Sequence, residues 1–346
     1  MLKRHDTLME GNHIHINKWL LPLSWLYGLG VNIRNRMFDR GMLHSISFPL
    51  PVICVGNLTV GGTGKTPHTE YLIRLLSHDR QIAVLSRGYK RKSKGFVLAG
   101  DSPTVAEIGD EPCQMKRKFP FIHMAVDKDR CHGIERLTDE SIHPQTEVIL
   151  LDDAFQHRYV KAGLNIVLMD YHRVTYFDRL LPAGRLREPH SGIRRADIII
   201  VTKCPTDITE ENKQSIRRHI QPTTSQQLFF TRYRYPKFIE GIQGNPILLT
   251  GIASPRQMAH DLRNVLPDIE LMSFTDHHNF SPAEIEQIRS QTAGRTILTT
   301  EKDATRLQGL DNVKVIPVEV EFLDNTQSTF DQTILNFVKS FDQQQV

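Results

Sequence analysis

The sequence predicts an α/β fold: a mostly parallel sheet with helices on both faces, followed by a smaller α/β domain. Three observations predict it. Apolar runs recur at 51–55, 82–86, 148–151, 165–169 and 197–201, with helix-like segments between them. Runs such as Val148-Ile149-Leu150-Leu151 are continuously apolar rather than alternating, which suits strands covered on both sides. Polar residues gather directly after these runs, at the carboxyl strand ends where parallel sheets bind ligands.

Composition bounds the class. The chain has 346 residues, 39% hydrophobic and 24% charged, enough for one large domain or two smaller ones. A net charge of +4 is too mild to indicate nucleic acid as a partner. The cysteines at 54, 113, 131 and 204 show no paired metal spacing and sit on or near apolar runs, as reduced structural thiols of a cytosolic protein do.

The first element is a short apolar stretch, Trp19 to Val31, that holds both tryptophans of the chain. Lys3, Arg4 and Lys18 precede it, and Arg34, Arg36 and Arg40 follow. It is shorter than the roughly 20 residues needed to span a bilayer and lacks the small-residue cleavage site of a secretory signal. Aromatic and apolar residues flanked by arginines predict a helix lying in the membrane interface over the region 1–40; a helix packed on the protein's own core is the alternative.

The strand Pro51-Val52-Ile53-Cys54-Val55 then runs into Gly56-Asn57-Leu58-Thr59-Val60-Gly61-Gly62-Thr63-Gly64-Lys65-Thr66-Pro67. A buried strand, a glycine-rich loop ending Gly-Lys-Thr and a helix form the phosphate cradle of a P-loop NTPase-like domain, here 41–227. Small residues let backbone N–H groups point at phosphate oxygens, and the following helix presents its positive dipole end. Lys65 is placed to reach the β- and γ-phosphates, and the Thr66 hydroxyl to ligate Mg2+. One position departs from the usual pattern: Thr59 stands where Gly or Ala begins it.

Beyond the first domain, Leu228 to Pro236 alternates as an exposed ribbon does, and Val313–Phe322 reads as a return strand. These segments, 228–236 and 313–322, make a hinge ribbon that joins the smaller domain at 237–312. Ser254-Pro255-Arg256-Gln257 and Ser281-Pro282-Ala283-Glu284 both read as capped helix starts within it. Residues 323–346 form a C-terminal helix and polar tail.

Several residues carry candidate chemistry. Asp152-Asp153 closes a buried strand, where a second Mg2+-holding carboxylate is expected; a helix cap is the plainer alternative. His157 follows one turn later and suits either phosphate positioning or a structural role. Gly109-Asp110-Glu111-Pro112 places two carboxylates at a helix start, for capping or for catalysis. Asp276-His277-His278 lies just before the Ser281 cap. Adjacent histidines diverge on most backbones, so a carboxylate-oriented acid–base histidine fits better than a metal pair. Arginines follow the strands in Ser86-Arg87-Gly88-Tyr89, Asp129-Arg130 and Leu186-Arg187-Glu188-Pro189, where they can neutralise developing phosphoryl charge.

Taken in order, these segments resemble the tetraacyldisaccharide 4'-kinase family, the lipid A 4'-kinases. The likeness runs from Leu21-Pro22-Leu23-Ser24-Trp25-Leu26-Tyr27, Arg34-Asn35-Arg36 and Asp39-Arg40-Gly41 through the glycine-rich loop, Ser86–Tyr89 and Gly109–Pro112. It continues through Leu151–His157, Leu181–Pro189 and Phe274–His278 to Thr299-Thr300-Glu301-Lys302-Asp303. Ala154 departs from it, standing where the family usually has Gly. The resemblance implies transfer of the ATP γ-phosphate to the 4'-hydroxyl of a lipid A disaccharide 1-phosphate, at the cytoplasmic face of a bacterial inner membrane. It also implies that Thr59 belongs to a loop variant normal for the family. Asp110 would take the hydroxyl proton, with His277 orienting it across two closing domains. The nucleotide set is then Gly61, Gly62, Thr63, Gly64, Lys65, Thr66, Arg87, Arg130, His157, Arg187 and Glu188, with Thr66, Asp152, Asp153 and Glu188 around the Mg2+.

Two other classes compete with this reading. A membrane-associated regulatory or transport P-loop NTPase would hydrolyse nucleotide to drive a switch; Thr202-Lys203 hints at guanine specificity, but Cys204-Pro205 displaces the Asp that such a pocket needs. A non-enzymatic lipid-binding scaffold would not keep Lys65-Thr66 and Asp152-Asp153 together.

Overall fold

The computed structural model describes residues 16–139, 146–236, 240–242, 245–252, 255–275, 278, 280–304, 306–307 and 309–343. The chain divides into two compact units, Met1–Arg232 with Glu321–Val346, and Tyr233–Val320.

In chain order the first unit begins with α1 (Leu21–Asp39), β1 (Val52–Asn57), α2 (Lys65–Leu76), β2 (Ile82–Ser86) and β3 (Val97–Leu98). Next come α3 (Val105–Ile108), α4 (Asp110–Lys118), β4 (His123–Val126), α5 (Arg130–Thr138), β5 (Val148–Asp152) and β6 (Leu164–Asp170). After these follow β7 (Ile198–Thr202), α6 (Glu210–Ile220) and β8 (Gln227–Arg234). The second unit holds β9 (Ile247–Thr250), α7 (Pro255–Leu262), β10 (Glu270–Ser273), α8 (Pro282–Gln291), β11 (Ile297–Thr299), α9 (Glu301–Ala304) and β12 (Val313–Val315). The chain then returns through β13 (Glu319–Phe322) to α10 (Gln327–Asp342).

Among the described residues, nine strands form one sheet in the order β13-β8-β7-β6-β1-β5-β2-β4-β3. Every ladder from β4 across to β8 is parallel, and β3 adds antiparallel at the edge. All residues of β1, β2, β5 and β7 are buried, as their uninterrupted apolar sequences require. β1 is therefore central, flanked by β5 and β6, and its carboxyl end opens into the glycine-rich loop. The register sets Val55 beside Asp152, and Asp170 beside Thr202, so the polar strand ends cluster around that loop.

The return of the chain to this unit is fixed by aromatic rings. Phe330 of α10 packs on Phe229 and Phe322 at centroid distances of 5.4 and 4.5 Å, and the Tyr71 hydroxyl donates to Asp331 at 2.6 Å. Such ring pairs add roughly 0.5–1.5 kcal/mol each beyond their area burial. The four cysteines are free and buried.

In the second unit four parallel strands run in the order β10-β9-β11-β12. α8 starts with a complete capping box between Ser281 and Glu284. Ser254, the other expected cap, lies outside the described residues.

Two expectations for the ribbon change. Residues 313–322 are two strands, not one: β12 belongs to the second unit's sheet and β13 lies beside β8. Pro317 between them has no N–H for a ladder, which accounts for the break. The segment 228–236 is not an exposed ribbon: Phe229, Phe230 and Thr231 are buried in the main sheet, and of the rest only Arg234 is exposed.

Candidate functional site

The glycine-rich loop is shaped by three glycines. Gly61 and Gly64 have φ of +111° and +89°, in the region that favours glycine, and Gly64 is the N-cap of α2. A Cβ on Gly56 would meet the Phe155 Cβ at 2.5 Å, so the loop strand lies directly on the segment after β5. Thr59 is accommodated because it is not in the tight part of the loop. It forms an antiparallel bridge with Leu186, with Val60 N donating to Arg185 O and Arg187 N donating to Leu58 O, both at 2.8 Å. That bridge draws residues 185–187 against the loop.

Buried polar groups hold the loop from below. Asn57 donates to Thr63 Oγ1 at 2.7 Å, and Thr202 Oγ1 donates to Thr63 O at 2.8 Å. Lys203 donates to Gly62 O and pairs with Asp170 at 2.7 Å. The Thr202-Lys203 pair thus braces the loop, which leaves it no part in a guanine pocket. Inside α2, His68 bonds Gly64 O at 2.8 Å and the Thr231 hydroxyl at 3.1 Å. Burial pushes its pKa down to about 4, so the ring is neutral.

The two adjacent carboxylates at the end of β5 have opposite surroundings. Asp153, with φ +51°, turns out of the strand and pairs with Lys65 at 3.6 Å and with Arg187 at 2.9 Å. Burial opposes its ionisation, but Lys65 and Arg187 outweigh burial and hold the carboxyl below the usual range. Asp152 is 1% exposed. Its Oδ2 accepts a long hydrogen bond from Ser86 at 3.3 Å, and its Oδ1 has no partner. Burial, then the charges of Glu111 and Asp153, push it up to about 7. A buried carboxylate with an orphan oxygen and an acidic neighbour is a position that could hold a cation.

Glu111 reaches this network from the start of α4. The N-cap of α4 is Gly109, at φ +91°, so Asp110 lies inside the first turn and is not the cap residue. A Cβ at Gly109 would meet Tyr89 O at 3.0 Å, which packs the start of α4 onto the loop after β2. Arg130 is buried at the start of α5, where burial lowers its pKa while Asp153 and Asp152 favour its charge. Arg87 acts electrostatically on Arg130 and on His157. His157 is held neutral at a pKa of about 4 by burial and then by Arg130. His277 and Asp276 lie outside the described residues; His278 pairs with Glu284 at 3.0 Å and stacks on Phe274.

Glu188, expected beside the Mg2+, is held by basic and amide side chains. Arg195 holds both of its oxygens, at 2.8 and 2.9 Å, and Gln156 and Asn35 add further hydrogen bonds. Glu188 therefore anchors Gln156, which in turn donates to Asn57 O at 2.7 Å behind the loop.

The helix α1 docks on the same segment. Ser24 donates to Leu180 O at 2.9 Å, and the Tyr27 hydroxyl donates to Arg187 O at 2.7 Å. Gly28 sits so close that a Cβ there would meet Leu180 Cδ1 at 2.6 Å. In its first half the inward face uses small residues and the large apolar ones face solvent, while Phe38 near its end is buried against Tyr159. Trp19 is 93% exposed and Trp25 74%, with Leu23, Leu26, Leu29 and Ile33 also exposed. Among the described residues, no helix is long and apolar enough to cross a membrane.

Residues 16–339 match the family described as LpxK: Tetraacyldisaccharide-1-P 4'-kinase. The chain belongs to the tetraacyldisaccharide 4'-kinase family. Within that family, the tetraacyldisaccharide 4'-kinase of Phocaeicola vulgatus is 52% identical, over 96% of this chain and 98% of its own length. That of Bacteroides fragilis is 50% identical, over 96% of each. Among solved structures, the apo-form LpxK from Aquifex aeolicus in complex with ATP superposes with a TM-score of 0.72 at 33% identity, covering 92% of this chain and 98% of that one.

As a member of the tetraacyldisaccharide 4'-kinases, the chain carries supporting residues around the loop to which sequence reasoning gave no role, Asn57, Gln156 and Asp170, while Lys203 braces the loop instead of marking a guanine pocket and Glu111 acts on Asp152. The signal for Asn57, Asp170 and Lys203 was their place at the carboxyl ends of parallel strands, whereas nothing local marks Gln156.

Proposed function

We propose that this chain transfers the γ-phosphate of ATP to the 4'-hydroxyl of a tetraacyldisaccharide 1-phosphate, the lipid A precursor. The observation that carries the reading is the orphan oxygen of Asp152, buried beside the loop that presents Lys65. A lipid-binding scaffold has no use for a buried carboxylate with an unpartnered oxygen at a phosphate cradle.

The residues present fit Mg2+. Thr66 and Asp152 would hold it, and the ion would neutralise charge on the transferring phosphoryl group. Lys65 shares Asp153 with Arg187, so both cations are already aligned on one side of the cradle. Arg87 and Arg130 supply further positive charge next to the two carboxylates. Asp110, in the first turn of α4, takes the proton of the sugar hydroxyl. His277 is its partner in this proposal, orienting the carboxylate and tuning its basicity.

The acceptor arrives from a membrane. The exposed Trp25, Leu26 and Leu29 of α1, with Trp19 just before the helix, form an apolar surface, and Arg34 and Arg36 follow on the same helix. This face supports peripheral attachment to the cytoplasmic side of the inner membrane. α1 also touches Arg187, so the lipid-facing helix and the phosphate site share one segment.

The test is a phosphoryl-transfer assay with labelled ATP and a tetraacyldisaccharide 1-phosphate acceptor. The expected result is a labelled lipid product and ATP consumption that depends on the acceptor. ATP turnover indifferent to the acceptor would instead mark a regulatory or transport NTPase.

A further inference from the structure

The start of α5 carries a second cluster of ligand-type side chains, beside the oxygen-rich Asp152 site and with Arg130 as a common neighbour. We propose that Asp129, Cys131 and His157 bind a thiophilic divalent cation of the Zn2+ class.

Ligand atoms of these three residues all lie within 4.8 Å of one another. The set is mixed: a carboxylate oxygen, a thiol sulfur and an imidazole nitrogen. Mg2+ prefers oxygen ligands, whereas sulfur with imidazole selects Zn2+ and its neighbours. Three protein ligands leave a fourth position for water, the arrangement of an open zinc site.

Two of the ligands are held in place by the fold. Asp129 is the N-cap of α5, its Oδ1 accepting from Cys131 N at 3.0 Å and His132 N at 3.4 Å. That cap fixes the carboxylate one residue from Arg130 and two from Cys131, while its second oxygen takes no part in the cap. His157 comes from the turn after β5, and its Nε2 is buried with no hydrogen-bond partner. An unpartnered buried imidazole nitrogen is the independent sign of a missing ligand at this place. The ring is already neutral, the form that binds metal. Cys131 is buried, and on binding its thiol proton passes to solvent as the sulfur–metal bond forms.

The experiment titrates the full-length chain, stripped with chelator, with Co2+ as a spectroscopic stand-in and then with Zn2+. The expected result is one equivalent bound, with a thiolate-to-cobalt charge-transfer band that Zn2+ displaces. In Cys131→Ser that band disappears. Asp129→Asn keeps the helix cap, since Asn caps as well as Asp, but loses the charged ligand. Its Zn2+ affinity should fall by more than about tenfold, the lower end of what loss of a mere outer-shell partner produces. Thermal melts in chelator check that both variants are folded. Absence of the band in the unaltered chain overturns the proposal. So does a band that survives Cys131→Ser, which would assign it to Cys54, Cys113 or Cys204, or unchanged Zn2+ affinity in Asp129→Asn.

Discussion

Lys65 and Asp110 separate two contributions that a kinase must combine. Lys65 touches Asp153 and faces the loop, so Lys65→Ala removes phosphate positioning. Turnover should fall by about 10²–10³, the scale for losing one charge-stabilising donor, and the nucleotide dissociation constant should rise with it. Asp110→Asn should lower turnover by roughly 10²–10⁴ while nucleotide affinity holds, because only proton removal is lost. Near-normal turnover in that variant removes Asp110 from the role. His68 makes a pH prediction. Its folded pKa of about 4 is below its ordinary 6.5, because the buried ring resists charging. As pH falls through this window the unfolded chain takes up a proton that the folded chain refuses, so stability drops, and it levels off below about 4. The contribution is up to roughly 3 kcal/mol. Denaturant melts between pH 7 and 4 should show a shallower slope for His68→Gln; an identical slope would mean that His68 is not a source of the pH dependence.

At the scale of elements, α1 divides its two faces by residue size. Ser24 and Gly28 bring its backbone against Leu180, and the bulky side chains of its first half are left outward. Burying a large apolar side chain is worth roughly 1.5–3 kcal/mol, so replacing Trp19, Trp25 and Leu26 together by Ser should weaken binding to anionic vesicles at least about 100-fold. Nucleotide affinity should not change, since none of the three contacts the loop. Flotation with vesicles reads the first quantity and equilibrium dialysis the second; unchanged flotation would contradict the interfacial role. The elements of the main sheet were legible because their signals are local. Val148–Leu151 is too continuously apolar to be anything but a covered strand, and the glycine loop follows its strand without a gap. The 313–322 segment was misread as one strand because its apolar pattern continues across Pro317, and only the missing N–H marks the division.

At the scale of the molecule, the first unit is closed by chain segments distant in sequence. Phe330 of α10 fills the space between Phe229, Phe322 and Tyr71, and it is 2% exposed. Phe330→Ala should cost about 3–5 kcal/mol, the range for a buried aromatic, and should lower the melting temperature without altering the order of the loop. Calorimetry measures the loss, and a change under about 1 kcal/mol would show that α10 is not part of the cooperative core. By itself the sequence determined the parallel α/β class, the phosphate loop and the residues able to do chemistry, because strand continuity, glycine spacing and residue type are local properties. It could not rank Asp152 against Asp153. Tertiary structure decided that, setting Asp153 against Lys65 and Arg187 and leaving Asp152 buried with one oxygen unpartnered. The same holds for Glu188, taken up by Arg195, and for Lys203, turned to brace Gly62. Apart from the nearby Glu188 and Arg195, which charges meet depends on how parallel crossovers bring residues distant in sequence to one edge of a sheet, and no local pattern encodes that.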